Sequence, residues 1–311
     1  VTLSKMCGSG MKAAMFAHDM LLAGTHDVMV AGGMESMTNA PYLLQKGRGG
    51  YRLGHDRIFD HMMLDGLEDA YEPGRSMGTF GEDCAAKYGF TRAEQDAFAT
   101  ASVERAKAAT ASGAFAAEIT PVTVKSRAGE TVVSVDEGPG KVKLDKIASL
   151  KPAFKKDGTI TAASSSSIND GAAALVMMRA STATKLGCKP LARIVGHATH
   201  AQEPEWFATA PLGATQKALA KAGWAVGDVD LWEINEAFAV VPMALMKELN
   251  LPHDKVNVNG GACALGHPIG ASGARIMVTL IYALQARGLK KGLATLCIGG
   301  GEATAVAVEL V

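Results

Sequence analysis

The sequence lacks an excess of charge of either sign, because its 311 residues include 31 Lys plus Arg and 31 Asp plus Glu. Nucleic acid and other strongly charged surfaces are therefore disfavoured as partners. Long apolar runs are also lacking: Gly, Asp or Lys interrupts each run well before the roughly 20 residues of a bilayer span, so we expect no membrane span. The five cysteines are odd in number and widely spaced, which excludes a disulfide scaffold and a zinc finger. This pattern favours the reducing cytoplasm.

Aromatic residues are scarce, at 5%, whereas glycine is abundant, with 35 residues. Glycine usage is thus about 11%, against an ordinary level near 7%. The glycines cluster beside short apolar strands or at the starts of helices, where they allow turns and close backbone packing. The clusters are Gly8 and Gly10, Gly32 and Gly33, Gly260 and Gly261, Gly266, Gly270 and Gly273, and Gly299 to Gly301. In an α/β protein such clusters are typical of a ligand site at the ends of strands.

Two segments of the chain repeat one order of elements. Apolar residues at 11–22 follow helical spacing, and a short strand ending in Gly32-Gly33 follows them. Ser272-Gly273 likewise opens a helix that leads to a strand at 293–298 and then to Gly299-Gly300. We therefore predict an α/β fold built on a duplicated unit.

The residues between the two repeats, 39–166, predict an inserted region with a small structure of its own. Thr91-Arg92-Ala93-Glu94 is a capping box for a helix that runs to about Ser112, and residues 120–124 and 131–135 predict a hairpin. Residues 1–38 and 167–188 then form the first α/β domain, and residues 189–311 form the second. In the second domain we expect a helix at 239–249 and further strands at 231–234 and 256–258.

Cys7 lies in the segment Lys5-Met6-Cys7-Gly8-Ser9-Gly10, at the first turn of the first buried helix. The partial positive charge of a helix N-terminus lowers the pKa of a thiol from its reference near 8.5, which favours the nucleophilic thiolate. A small buried core residue is an equally good interpretation from position alone, because free cysteine is among the most buried residue types.

Three further residues are candidates for chemistry. His267 lies in a glycine-rich loop, and Pro268 fixes the backbone after it. Its imidazole could take a proton from a thiol or polarise a carbonyl. The alternative is a solvated side chain, which is the more frequent state of a lone loop histidine. Cys297 ends a strand before three glycines whose free N–H groups suit an oxyanion site, and the alternative is a buried thiol. Asn235 is either an N-cap or an amide that fixes a water. We interpret Cys263 as packing.

Taken together, these segments resemble the thiolases, the acyl-CoA C-acetyltransferase family. The resemblance rests on CGSG at 7–10, AGGMES at 31–36, INDGAAAL at 168–175, NEAF at 235–238, GGACALGHPIGASGAR at 260–275 and CIGGGEA at 297–303. It extends over essentially the whole chain. It implies duplicated α/β domains in a layered αβαβα arrangement with an inserted loop domain. It also implies an acyltransferase that condenses acetyl-CoA with an acyl-CoA, or cleaves a 3-ketoacyl-CoA with CoA.

The resemblance also assigns a role to each candidate. Cys7 takes the acyl group as a thioester, and His267 activates it. His267 also polarises the substrate thioester together with a water held by Asn235, and Cys297 transfers the α-proton. The N–H groups of Cys7 and Gly299 form the second oxyanion hole. The CoA thioester is a substrate, and the resemblance implies that no metal or other cofactor is needed.

The inserted domain resembles the one that covers CoA in thiolases. The residues implied to contact the substrate are Ser166, Phe154, Leu67, Met77, Ala162 and Phe238. The segment Arg48 to Asp60 resembles the loop through which many thiolases form tetramers, so we expect a homodimer or homotetramer. Ordinary loop packing is the alternative for all of these residues.

One departure from the family pattern concerns the substrate. Biosynthetic thiolases commonly have His-Met where this chain has Ser76-Met77. Acetyl-CoA acetyltransferase is the leading interpretation, with a degradative thiolase for longer 3-ketoacyl chains as its alternative. A non-catalytic CoA- or lipid-binding member is disfavoured, because Cys7, His267 and Cys297 are all retained. A ketoacyl synthase is disfavoured because the last of these positions is a cysteine.

The other departure is at the start of the chain. The family has strands and helices before its nucleophile, whereas this sequence begins at Val1. We therefore expect an N-terminally truncated chain with an incomplete first sheet and exposed apolar residues near Met11 to Leu22. Such a product is expected to be aggregated or inactive.

Overall fold

The computed structural model describes residues 1–311. The helices are α1 (Ser9–Leu22), α2 (Met77–Tyr88), α3 (Arg92–Ser112), α4 (Gly138–Lys141), α5 (Ala180–Leu186), α6 (Ala210–Ala222), α7 (Val240–Leu249), α8 (Ala262–Leu265) and α9 (Ile269–Arg287). The strands are β1 (Val28–Ser36), β2 (Tyr42–Leu43), β3 (Phe59–Asp60), β4 (Val122–Ser126), β5 (Gly129–Val133), β6 (Asp170–Met178), β7 (Ala192–Ala201), β8 (Leu231–Ile234), β9 (Lys291–Ile298) and β10 (Glu302–Leu310).

Helices α1 and α9 lie between two sheets. In one sheet β1 pairs antiparallel with β6; the other has the strand order β7-β10-β9-β8, with only β8 and β9 parallel. Alternate residues of β9 face opposite ways: Ala294 and Leu296 pack with α1 and α9, whereas Leu293 and Cys297 pack in the core that α6 covers. The layers therefore run sheet, helices, sheet, helix, which correspond to four consecutive layers of the expected thiolase-like αβαβα arrangement.

The predicted duplication is visible in the strand pairing. Helix α1 packs on the antiparallel pair β1 and β6, and α9 packs on β9, which pairs antiparallel with β10. The strands β9 and β10 are joined by residues 299–301, whereas residues 37–169 separate β1 from β6. The insertion thus divides the two strands of the first repeat. The exact domain limits stay a prediction, because Phe80 and Ile160 of the insertion share a core with Trp232 of the second repeat.

The sheet of the first repeat has two strands, whereas that of the second repeat has four. Its outer face exposes Val30 and Met34, at 71% and 79% of their surface. We expected exposed apolar residues in α1. This expectation is wrong for Met11 and Met15, because α9 buries that side of the helix. Leu22, in contrast, is exposed.

Local predictions in the insertion agree with the structure. The Thr91 hydroxyl accepts a hydrogen bond from the Glu94 N–H at 3.2 Å, and the Glu94 carboxylate accepts one from the Thr91 N–H at 2.7 Å, so the capping box is formed. The hairpin is confirmed as β4 and β5.

The predicted strand at 256–258 is wrong. Asn257 has a left-handed φ of 48°, which interrupts an extended backbone. Its side-chain amide pairs instead with the N–H and C=O of Ile234, at 2.8 Å each, so a side chain replaces part of the missing backbone ladder. Only Val256 forms a single bridge to Trp232.

Helix α9 is long and apolar enough to cross a bilayer, with a mean hydropathy of 1.3 over an 18-residue stretch. However, 72% of that stretch is buried inside the protein. Its apolar character is accounted for by its place between the two sheets.

Helices α1 and α9 cross with their backbones in contact. A Cβ atom added at Gly273 would lie 2.4 Å from the Met11 nitrogen, and one added at Gly10 would lie 2.8 Å from the Ala274 nitrogen. No flexible side chain can move aside in either case, so only glycine fits. This crossing places the N-terminal ends of both helices together at one edge of the core.

We predict that Gly273→Ala lowers the free energy of unfolding by about 1–3 kcal/mol, because the methyl group must push two backbones apart. Gly227→Ala is the matched control, since a Cβ there meets open space; it should change stability by less than about 1 kcal/mol. Urea unfolding of the two variants measures the difference. Equal effects would contradict the close crossing.

Candidate active site

Cys7 lies in a 3₁₀ turn, Met6–Gly8, directly before α1. Met6 has a φ of 46°, a left-handed conformation that is strained for a side chain of this size and is typical of functional sites. The Ser9 hydroxyl holds the turn, since it accepts from the Lys5 N–H at 2.8 Å and donates to the Met6 carbonyl at 2.7 Å. Lys5 also forms an ion pair with Glu302, which ties this turn to the start of β10.

The environment of the Cys7 sulfur differs from the prediction. Burial of the thiol raises its pKa to about 11, and the carboxylate of Glu35 adds to the increase. Hydrogen bonds from the backbone N–H groups of Gly299 and of Cys7 itself act in the opposite direction. The prediction that the helix N-terminus brings the pKa toward neutrality is therefore wrong, because loss of solvation outweighs the helix field. Cys7 is a thiol at neutral pH and needs a base to become a nucleophile.

Cys297 and Gly299 approach Cys7 from the other repeat. Cys297 lies near the end of β9, where it pairs with Ala303 of β10, and it is 1% exposed. Burial raises its pKa well above the ordinary value, and a charge on Cys7 raises it further, so the two thiols lie within electrostatic reach of each other. The structure thus brings Cys7, Cys297 and the Gly299 N–H together.

His267 is buried between α8 and α9, and is not solvated. The backbone N–H of His267 donates to the Ser167 carbonyl at 3.1 Å, which fixes the backbone at this residue. The Ser272 hydroxyl donates to the Pro268 carbonyl at 3.0 Å and lies 2.5 Å from His267 Nδ1, so it accepts from an Nδ1–H. Nε2 is buried without a partner. Burial lowers the pKa of His267 to about 4, so at neutral pH Nε2 is a free acceptor.

Asn235 follows β8, and its N–H donates to the Thr295 carbonyl of β9 at 3.0 Å. It is not an N-cap, because α7 begins only at Val240. Both its amide nitrogen and its amide oxygen are buried without a partner. Since buried polar groups are nearly always satisfied, this amide is suited to hold a water or a ligand.

Three polar residues beside these groups were missed from the sequence. Glu236 is fully buried and accepts hydrogen bonds from the Ser102 hydroxyl, the Asn257 amide and the Cys263 N–H, at 2.7–2.9 Å. This network anchors the segment that carries Asn235. Ser272 orients His267, and Glu35 accepts from the Gly270 N–H at 2.9 Å. All three stand in the motifs quoted above; the partners of Glu236 and Glu35 are distant in the sequence, whereas Ser272 contacts His267 within one motif. Cys263 is confirmed as a packing residue, next to Phe98 and Ala239.

Four of the six residues expected to contact substrate lie around one wall. The Phe154 and Phe238 rings meet edge to face with centroids 5.6 Å apart, and the Ser166 N–H donates to the Ala237 carbonyl at 3.0 Å, next to Phe238. The Met77 sulfur lies 3.4 Å from where a Cβ on Gly299 would be, so this wall reaches the paired thiols.

The other two residues lie in different surroundings. Leu67 ends a π-helical turn, and the neighbouring Gly66 packs on Ile269 at the start of α9. Ala162 is exposed. The π-helical turn Met63–Leu67 lies against the Met6–Gly8 turn that carries Cys7. The part of Leu67 and Ala162 in substrate binding stays a prediction.

The thiols of Cys7 and Cys297 and the N–H groups of Cys7 and Gly299 therefore meet from two repeats. His267, a neutral imidazole with one free nitrogen, and Asn235, an amide without a protein partner, complete the set of candidate residues. The family model described as "Thiolase, N-terminal domain" matches residues 1–181, and the one described as "Thiolase, C-terminal domain" matches residues 188–310. The chain belongs to the thiolase family.

Similar proteins and structures are numerous. The chain is 52% identical to an acetyl-CoA acetyltransferase of Chromobacterium violaceum, over 99% of this chain and 79% of the relative. It is 49% identical to an acetyl-CoA acetyltransferase of Pseudomonas aeruginosa, over 98% and 78%. The Bacillus anthracis acetyl-CoA acetyltransferase structure matches with a TM-score of 0.96 and 44% identity, and human mitochondrial 3-ketoacyl-CoA thiolase with 0.94 and 38%, each over 100% of this chain and 78% of the other.

The depressed pKa of His267 predicts how stability depends on pH. An unfolded histidine binds a proton below about pH 6.5, whereas folded His267 stays neutral down to about pH 4. Acid therefore favours the unfolded state, and stability is lost as the pH falls from 6.5 toward 4. We expect the free energy of unfolding to fall between pH 7 and pH 5 by about 2 kcal/mol more in the wild type than in His267→Gln.

Denaturant unfolding at the two pH values measures this difference. His26→Gln is the matched control, because His26 is exposed, and it should behave as the wild type does. If the wild type and His267→Gln lost the same stability in acid, the buried neutral imidazole would be contradicted.

Proposed function

We propose that this protein is an acetyl-CoA C-acetyltransferase that works through an acyl-enzyme on Cys7. The observation that carries the proposal is the meeting of the Cys7 thiol with the Gly299 N–H and with a second thiol, Cys297. A single nucleophile suffices for acyl transfer alone, whereas a second titratable thiol beside it suits a further proton transfer. The names of the similar proteins support the same activity.

In the first half-reaction Cys7 attacks the thioester carbonyl of acetyl-CoA. His267 Nε2 accepts the thiol proton, because it is neutral and has no other partner. The tetrahedral oxyanion is stabilised by the N–H groups of Cys7 and Gly299, which already converge on the sulfur. Collapse of the tetrahedral intermediate breaks the carbon–sulfur bond to CoA. The CoA thiolate takes the proton from His267, and an acetyl group remains on Cys7.

In the second half-reaction the Cys297 thiol first gives its proton to His267, and the resulting thiolate removes an α-proton from another acetyl-CoA. The enolate attacks the acetyl group on Cys7, and the product acetoacetyl-CoA leaves as the Cys7 thiolate is released and takes the proton back from His267. Acylation removes any charge from Cys7, and with it one of the causes that raise the pKa of Cys297. The enolate oxygen is stabilised by His267 and by a water held on the Asn235 amide, whose two polar atoms lack protein partners.

The CoA chain is proposed to lie along the wall formed by Phe154, Phe238, Met77 and Ser166. Two crossed aromatic rings and a methionine give an apolar surface that suits pantetheine and excludes water. CoA and acyl-CoA are the proposed partners, and the thioester supplies all the chemistry that the reaction needs, so that no further cofactor is proposed.

A degradative thiolase for longer 3-ketoacyl-CoA chains is the second candidate. It is favoured by Ser76, whose side chain is smaller than the histidine common at this position in biosynthetic thiolases, and by the structural likeness to a human 3-ketoacyl-CoA thiolase. Rates of thiolysis with 3-ketoacyl-CoAs of increasing length distinguish the two. A sharp preference for acetoacetyl-CoA supports the first candidate, and equal or faster cleavage of long chains supports the second.

Assembly as a homodimer or homotetramer is also proposed, with Arg48 to Asp60 in the contact. This segment exposes Leu53 and Ile58, at 107% and 67%, and such apolar side chains are suited to an interface. A cytoplasmic location is proposed on the basis of the cysteine pattern.

The roles of the two thiols predict opposite results with labelled acetyl-CoA. Cys7→Ser should leave no stable label on the protein, because an unactivated hydroxyl is a far weaker nucleophile than a thiolate. Cys297→Ala should retain the label while condensation falls by at least about 100-fold, because only the α-proton transfer is lost. Cys188→Ala, at an exposed cysteine outside the site, is the control and should keep both activities.

Label retained on Cys7→Ser would contradict the proposed nucleophile. Loss of label from Cys297→Ala would contradict the division of roles. A protein that binds CoA but accepts no label at all would favour the non-catalytic alternative.

A further inference from the structure

A cluster of metal-ligating side chains lies outside the candidate active site. His18 and Asp19 are neighbours on α1, and His197 lies on β7, the edge strand of the four-stranded sheet. His197 Nε2 is 3.2 Å from His18 Nδ1 and 3.0 Å from Asp19 Oδ1, and His18 Nδ1 is 3.6 Å from Asp19 Oδ1. Three ligand atoms of different residues thus form a small triangle.

The size of this triangle fits one face of a zinc coordination tetrahedron. Zinc binds imidazole nitrogen at about 2.0–2.1 Å and carboxylate oxygen at about 2.0–2.2 Å, so the ligand atoms of a tetrahedral site are about 3.3–3.5 Å apart. The observed separations of 3.0, 3.2 and 3.6 Å span that value. The two imidazole rings stand at 89° to each other, so their nitrogens converge without stacking of the rings.

We propose that His18, Asp19 and His197 bind a divalent cation of the zinc class, with a water at the fourth position. Two imidazoles and a carboxylate are the ligand types that such ions prefer, and three protein ligands leave one position open. Asp19 is 56% exposed, which gives an ion access from solvent, whereas the His197 side chain is 11% exposed and gives the site a fixed inner wall.

A bound metal and a hydrogen-bond network are two ways in which the three side chains can be held together. A metal takes the lone pair of each neutral imidazole. In the metal-free protein, a shared N–H of His197 is the alternative link between His18 and Asp19.

Such a site would join the two halves of the molecule. His18 is 11 residues beyond Cys7, which is about 16 Å along a helix. A bound ion would attach α1 to an edge strand of the second repeat without touching the thiols. The inference does not depend on the proposed function, and it departs from the expectation that no metal is needed, which concerned only the acyl-transfer chemistry. His197 is 178 residues from Asp19, so no local motif reveals the site.

Zinc binding to protein treated with a chelator tests the proposal. The background is Cys7→Ala, because the active-site thiol can itself bind zinc. We expect one Zn²⁺ per chain, a higher melting temperature with zinc, and, with Co²⁺, the visible spectrum of a four-coordinate ion. Adding His18→Gln or His197→Gln should weaken zinc binding by more than about 10-fold. Loss of a residue that only hydrogen-bonds to a metal ligand already lowers metal affinity by about 10-fold or more.

His200→Gln in the same background is the matched control, since His200 lies on the same strand and outside the cluster. It should bind zinc as the background does. If His197→Gln does not fold, the more exposed His18→Gln and Asp19→Asn give the same comparison. Zinc binding that is absent, or that is equally strong with and without His18, would overturn the proposal.

Discussion

The backbone contact between α1 and α9 at Gly10 and Gly273 is the constraint on which the site depends. Each helix begins just after a functional residue: Cys7 precedes α1, and His267 precedes α9. Because the helices cross without intervening side chains, their N-terminal ends open toward the same region. The strand β9, which packs on α9, then delivers Cys297 and Gly299 to that region. A site assembled from two repeats therefore follows from one close helix crossing.

Burial then divides the chemistry among the groups. It raises the pKa values of both reactive thiols and lowers that of His267, so at neutral pH all three are uncharged. An uncharged site costs little desolvation energy in the core, and it leaves one free nitrogen to start proton transfer. Ser272 determines which nitrogen that is. Polar atoms left without partners, on His267 and Asn235, mark where substrate or water completes the network.

Much of the fold could be predicted from the sequence, because its signals are local. Helical spacing, the capping box at Thr91 and the repeated glycine clusters each report on a few adjacent residues. The motifs likewise indicated Cys7, His267 and Cys297. The pKa of Cys7 could not be predicted, since it depends on how much protein from the other repeat surrounds the sulfur. The same is true of Glu236, whose partners Ser102 and Asn257 come from distant elements, and of the His18 and His197 pair.

The central claim is that thiols from two repeats form one site, and a bifunctional thiol reagent tests it most directly. Dibromobimane becomes fluorescent when both of its arms have reacted with thiols. The account predicts a fluorescent product whose peptides contain Cys7 and Cys297, and its loss in Cys297→Ala but not in Cys188→Ala. A product that joins Cys7 to another cysteine, or fluorescence that persists without Cys297, would contradict the account.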